Sequence, residues 1–275
     1  MSIAEHESAV AGSRVTSKDG TALAVTAIGR GTPVVLIGGA FNDRSTVAAL
    51  AAALAPGHTA VSYDRRGRSA SEDRSTGFEV QNEIDDLAAV IAHVGGRAAL
   101  FGHSSGAILA LEAASRGLPV DRIAVYEPPL RVEDTPPYPS ADAYDELTDL
   151  VAAGDRDAAA ACFLRRILFV PEEAVAMMRA DPSWPFLVGH ALTLPYDVLL
   201  SRPWEVADRR PLAALDLPVL AMYGDRTSAA LEAGTRAVAE AVPGAQLLAI
   251  PGQDHGVLQH PETLEPALAK FFAAG

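Results

Sequence analysis

Cysteine is almost absent from this chain of 275 residues. The single Cys162, in "AAACFLRRILF", excludes an intramolecular disulfide and any thiolate metal cluster. Its apolar neighbours suit a small buried side chain better than a reactive thiol. Lysine is also scarce: the basic residues are nearly all arginine, and the formal net charge is −13. Such a balance argues against nucleic acid or an anionic membrane as the main partner. No apolar run reaches the length of a membrane span. The start, "MSIAEHESAV", lacks the basic and apolar regions of a signal peptide, so a cytoplasmic location is expected. There is no ligand cluster and no phosphate-binding glycine loop, and neither metal nor organic cofactor is expected.

What is present is a rhythm. "ALAVTAI" and "TPVVLIGGA" read as strands. "NDRSTVAALAAALA" then reads as a helix, with Asn42 or Asp43 available as its cap. "HTAVSYDRRGRS" is a strand running into an arginine-rich loop. In "EVQNEIDDLAAVIAHV", Val80, Ile84, Leu87, Val90, Ile91 and Val94 recur at helical spacing. "RAALF" is a strand, "SSGAILALEAASRG" a helix closed by Gly117, and "VDRIAVYEPP" a strand stopped by two prolines. This alternation predicts an α/β fold, a mostly parallel central sheet with helices on both faces.

The rhythm breaks between Leu130 and Pro211. "ADAYDELTDLVAAG", "RDAAAACFLRRILF", "PEEAVAMMRA" and "WPFLVGHALTL" are helical patterns with no good strand among them, and the stretch holds both tryptophans, Trp184 and Trp204. Residues 131–210 therefore read as a helical cap inserted into a core formed by 13–130 and 211–275, with residues 1–12 a flexible start. The strand pattern resumes with "LPVLAMYG" and "AQLLAIPG", each followed by a helix.

The pattern Gly102-His103-Ser104-Ser105-Gly106 lies between "RAALF" and "AILALEAASRG", at a strand-to-helix junction. A sharp turn there strains the serine backbone, and glycines two residues to either side relieve the crowding. The hydroxyl then stands clear of the sheet, at the positive end of the following helix. Ser104 is the candidate nucleophile. Here the chain resembles the α/β-hydrolase fold family, from Val15 to Phe272.

The resemblance implies that one oxyanion donor is the amide of Ser105. The other comes from "LIGGAFND", where Gly38 stands in place of the family's usual histidine. The matching amide is that of Ala40, with Phe41 a less favoured choice. Backbone amides serve whatever the side chain, so the departure costs little. The run "YDRRGRS" also resembles a family stretch; its arginines are expected to order a loop through surface ion pairs and to have no catalytic role.

His255, in "IPGQDHGVL", follows the last strand and precedes the last helix, as the family's base does. Among the other histidines, His103 is read as facing away from the serine and His93 as ending a helix. His6, His58 and His260 look like surface residues, and His190 sits in the cap. The acid is harder to assign. The family usually places it three residues beyond the glycine of "LPVLAMYG", but that residue is Thr227. Asp225 is two positions early, and Asp254 adjoins His255 too closely in sequence to orient its ring. Some members, haloalkane dehalogenases among them, carry the acid after the strand that follows the nucleophile helix. That position is Glu127 in "AVYEPPL". Glu127 is the preferred acid and Asp225 the alternative.

The expected protein is a serine hydrolase acting through an acyl-enzyme on an ester, lactone or thioester of a small to medium apolar molecule. Phe41, His103, Trp184, Phe186 and His190 are taken as candidate pocket residues. Two other readings stay open: a C–C hydrolase or lyase on the same residues, and a ligand-binding protein of the same fold without turnover.

Overall fold

The computed structural model describes residues 11–132, 139–201 and 210–274. Its centre is an eight-stranded sheet: β1 (Ala11–Thr16), β2 (Ala22–Ile28), β3 (Thr32–Ile37), β4 (His58–Tyr63), β5 (Ala98–His103), β6 (Val120–Tyr126), β7 (Val219–Gly224) and β8 (Gln246–Ile250). Their spatial order is β1-β2-β4-β3-β5-β6-β7-β8. β2 runs antiparallel to both of its neighbours, and every pairing from β4 to β8 is parallel. β1, for which "AGSRVT" gives no clear apolar signal, is an edge strand paired with β2 along its whole length.

Helices cover both faces because the central strands are apolar on both sides, as parallel sheets require. On one face α1 (Ala48–Leu54) and α11 (Pro261–Ala273) bury Leu50, Leu54, Leu264 and Leu268 against Leu36, Phe101 and Met222. On the other, α2 (Val80–His93), α3 (Ser105–Ser115) and α10 (Ala229–Ala241) pack with Val35, Leu100 and Val125. The α2 stripe predicted from spacing is realised: Ile84, Leu87, Val90 and Ile91 are all buried. Each such leucine contributes about 2 kcal/mol of burial free energy.

One helix is shorter than its pattern predicts. α1 begins at Ala48, with Val47 at the cap position and no side-chain cap. The Asp43 carboxylate instead accepts from the Ser45 amide and hydroxyl, and Asn42 accepts from the Gly39 amide. These local bonds hold residues 42–47 in turns, the usual competition of Asx side chains with helix.

Between β6 and β7 the described residues form helices and no paired ladder strand: α4 (Ala141–Ala152), α5 (Arg156–Cys162), a π turn (Phe163–Ile167), α6 (Glu172–Ala180), α7 (Trp184–His190), a 3₁₀ turn (Ala191–Thr193), α8 (Leu194–Ser201) and α9 (Arg210–Ala213). This insertion has its own apolar cluster of Leu147, Cys162, Phe163, Val175, Trp184 and Leu194, and Phe41 of the core joins it. Trp204 and His6 lie outside the described residues.

Candidate active site

The order of strands reverses at β3 and β5: from β3 the chain moves outward to β4, then returns to β5 on the other side. In open α/β sheets the crevice beyond the carboxyl ends at such a point is where ligands bind. Ser104 stands there, between β5 and α3, with φ 56° and ψ −126°. A non-glycine residue with this backbone is strained and persists only where its surroundings hold it. A Cβ at Gly102 would lie 2.5 Å from Ala107 Cα, and one at Gly106 would lie 2.3 Å from the Ile37 carbonyl oxygen. Both glycines are therefore demanded by close packing of strand against helix.

β6 is the next strand after β5, and their register pairs Gly102 with Val125 and His103 with Tyr126. The following residues, Ser104 and Glu127, are thus brought side by side. The Ser104 amide donates to the Tyr126 carbonyl at 2.9 Å. Glu127 also has a positive φ of 47°, and its side chain is fully buried. One carboxylate oxygen accepts from the Gly224 amide at 2.8 Å. The other lies 2.7 Å from Nδ1 of His255. A buried carboxylate there fixes the proton on Nδ1 and leaves the Nε2 lone pair free to take a proton.

Asp225 makes no such contact. It is exposed, and its Oδ1 accepts from the Gly252 amide at 2.7 Å, tying down the loop that carries His255. Asp254 accepts from the Gly256 amide. Among the described residues Ser104 Oγ has no hydrogen bond to His255.

The turn after β3 lies directly against the serine. A Cβ at Gly39 would be 2.6 Å from Ser104 Cβ and 3.3 Å from its Oγ. Among the described residues neither the Ala40 nor the Ser105 amide donates to another protein oxygen. Phe41 follows with φ 57° and packs edge-on against Phe163 of the insertion, with ring centroids 5.4 Å apart.

His103 does not simply face away from the site. Its Nε2 donates to the His255 carbonyl at 2.9 Å, and its ring centroid is 4.7 Å from that of His255. Burial, reinforced by the neighbouring His255, depresses the His103 imidazole to about 3. His58, expected at the surface, is buried against Phe272. His190 is buried, with Nδ1 bound to the Phe186 carbonyl and Nε2 3.9 Å from Asp43. Phe186 is partly exposed beside it. Trp184 is turned into the insertion, its indole N–H donating to Asp157 at 2.7 Å.

The largest correction concerns "YDRRGRS". Arg65, Arg66 and Arg68 are among the most buried side chains in the molecule. Arg66 forms a two-pronged pair with Asp86 at 2.6 and 2.8 Å. Arg65 pairs with Glu83 and Asp197, and Arg68 with Asp197. No local signal marks them, because their shortest pairs are with acids of α2 and of α8 in the insertion, although Arg66 also meets Asp19 and Asp73. A guanidinium leaves water only when carboxylates replace its hydration.

A mostly parallel sheet with a strained serine between strand and helix, a histidine beyond the last strand and a carboxylate on that histidine defines a hydrolase-type α/β architecture. The model of the alpha/beta hydrolase family matches residues 34–267, and the chain belongs to that family. It is 40% identical to an alpha/beta hydrolase of Sphaerobacter thermophilus, whose crystal structure it matches with a TM-score of 0.88 over 94% of this chain and all of that one. It is 26% identical to the 2-(acetamidomethylene)succinate hydrolase of Mesorhizobium japonicum over 78% of this chain and 79% of the relative. An esterase from a Rhodococcus species, 21% identical, shares the fold at a TM-score of 0.71 over 96% of this chain and 98% of the esterase. Among the described residues no helix is long and apolar enough to cross a membrane, and no cluster of three or more His, Cys, Asp or Glu is arranged to hold a metal ion.

Proposed function

We propose that the protein is a serine hydrolase that cleaves an ester, lactone or thioester of a small to medium apolar substrate. The observation that carries this reading is the 2.7 Å contact between Nδ1 of His255 and Glu127, which lies on the strand end next to that of the strained Ser104. Ser104 Oγ attacks the carbonyl carbon while His255 Nε2 takes its proton. The carbonyl oxygen becomes an oxyanion received by the Ala40 and Ser105 amides, which have no other acceptor among the described residues. The tetrahedral intermediate collapses, the C–O or C–S bond to the leaving group breaks, and His255 returns the proton to that group. Water, deprotonated by His255, then attacks the acyl-enzyme and releases the acid and Ser104. Glu127 holds the imidazole in its tautomer and stabilises the imidazolium.

The residues around the elbow favour an uncharged substrate. The relative from Mesorhizobium is named for a dicarboxylate, but Arg65, Arg66 and Arg68 are here already paired with carboxylates. The insertion's Phe186, partly exposed beside His190, supports an apolar acyl or alcohol group. The test is a series of p-nitrophenyl esters of graded chain length with a fluorophosphonate probe. One adduct per chain at Ser104, lost in Ser104→Ala, is expected. Absence of both labelling and ester hydrolysis in folded protein would leave a binding protein without turnover.

A further inference from the structure

One carboxylate of the helical insertion reaches behind the nucleophile turn. Asp197, on α8, is almost wholly buried. Its Oδ1 accepts from the Ser105 hydroxyl at 2.6 Å, from Arg65 Nη1 at 2.7 Å and from Arg68 Nη2 at 3.0 Å; its Oδ2 accepts from Arg68 Nη2 at 2.8 Å. Burial works against the Asp197 charge, but Arg68 and Arg65 outweigh it and keep the carboxyl below its ordinary range. Arg68 is anchored at three points. Nε donates to Thr193 Oγ1 at 3.1 Å, Nη2 to Asp197, and Nη1 to two carbonyls, Gly39 at 2.6 Å and Asn42 at 3.0 Å.

The Gly39 carbonyl belongs to the same peptide unit as the Ala40 N–H. A peptide is planar, so a fixed carbonyl direction fixes the N–H on the opposite side. A charge-assisted bond to the carbonyl also polarises the unit and makes the N–H a stronger donor. The second donor, Ser105, has its side chain held by the same Asp197. We propose that the Arg68–Asp197 pair is a positioning device for the oxyanion donors, through which the insertion helps to assemble the reacting centre. The inference rests on the serine-hydrolase reading above. Arg68 and Asp197 are positioning residues, since neither reaches the reacting atoms; they act through the Gly39–Ala40 peptide and Ser105.

The pair Arg66–Asp86 supplies the control. It is as buried, arises from the same loop and has no contact with residues 39–42 or with Ser105. Three proteins are compared for p-nitrophenyl butyrate turnover, fluorophosphonate labelling rate and unfolding midpoint: wild type, Arg68→Lys and Asp86→Asn. Loss of one oxyanion donor costs about a hundredfold or more in kcat, so loosening one should cost roughly tenfold to a hundredfold. Arg68→Lys should lose that much kcat with KM within about threefold, and its labelling should slow in parallel. Asp86→Asn should destabilise the fold yet keep kcat within about twofold among molecules that remain folded.

Arg68→Lys with unchanged kcat and labelling, or an equal kcat loss in folded Asp86→Asn, overturns the proposal. If Arg68→Lys does not fold, Thr193→Val removes one anchor and leaves the charge. It should then cost about fivefold in kcat, and no loss would count against the proposal. Wild type that neither labels nor hydrolyses esters would defeat the underlying reading instead, a result separable from labelled wild type with equally labelled variants.

Discussion

His103 Nε2 donates to the carbonyl of His255, and the two imidazoles stand 4.7 Å apart. One ring thus supports the backbone of the residue whose ring meets Glu127. To donate there, neutral His103 must carry its proton on Nε2, which leaves Nδ1 buried without a partner. A positive charge in this place would lie beside His255 and away from water, which is why the group is depressed to about 3.

That depression makes stability depend on pH in a definite direction. Between pH 6.5, the ordinary histidine value, and pH 3 the unfolded chain binds a proton that folded His103 refuses. The His103 contribution is complete above pH 6.5 and is lost as the pH falls, by about 1.4 kcal/mol per pH unit within that window. His58, depressed by burial, acts in the same sense. Urea unfolding at pH 7.5 and pH 5 should show the fall, and His103→Phe should flatten it. An equal slope in both proteins would assign the acid sensitivity elsewhere.

Glu127→Gln should lower ester hydrolysis by about a hundredfold or more, because an amide can favour the wrong histidine tautomer. Asp225→Asn should have a small effect, since an amide oxygen can still accept from Gly252. Rates are to be compared at equal folded fraction. A near-normal Glu127→Gln beside a dead Asp225→Asn would move the acid to the later strand.

Gly39→Ala places a methyl 2.6 Å from Ser104 Cβ and 2.9 Å from the His103 carbonyl oxygen. Either the turn or the serine must shift. Overpacking of this kind costs about 1–3 kcal/mol, and fluorophosphonate labelling should slow at least about tenfold, as a displaced donor implies. Labelling at the wild-type rate would mean that the turn gives way without disturbing Ser104.

Trp184 and Phe186 should part company. Trp184→Ala empties a buried place and removes the bond to Asp157, and should destabilise by about 3–5 kcal/mol. Phe186, 39% exposed, should cost little stability when changed to alanine and should instead shift preference among acyl chain lengths. Profiling both variants across the ester series, alongside thermal melts, distinguishes the roles. Identical chain-length profiles for wild type and Phe186→Ala would remove Phe186 from the pocket.

Seven of the eight strands, most of the helices and the strained turn at Ser104 were legible in the sequence because each depends on neighbours a few residues away; the edge strand β1, with no clear apolar signal, was not. Apolar periodicity marks α2, and the glycines at 102 and 106 mark a close strand–helix approach. The place of His255 after the last strand was likewise readable from chain order. Tertiary structure alone decided which carboxylate meets that histidine. Glu127 and Asp225 both follow strands of the sheet, and only the β5–β6 register and the path of the loop after β8 bring Glu127 to Nδ1. It also decided the fate of Arg65, Arg66 and Arg68. Local sequence assigns a run of arginines to solvent, because a lone guanidinium is costly to bury. Here Glu83, Asp86 and Asp197, from 18 to 132 residues away, replace the lost water, and such long-range pairing leaves no trace in local composition.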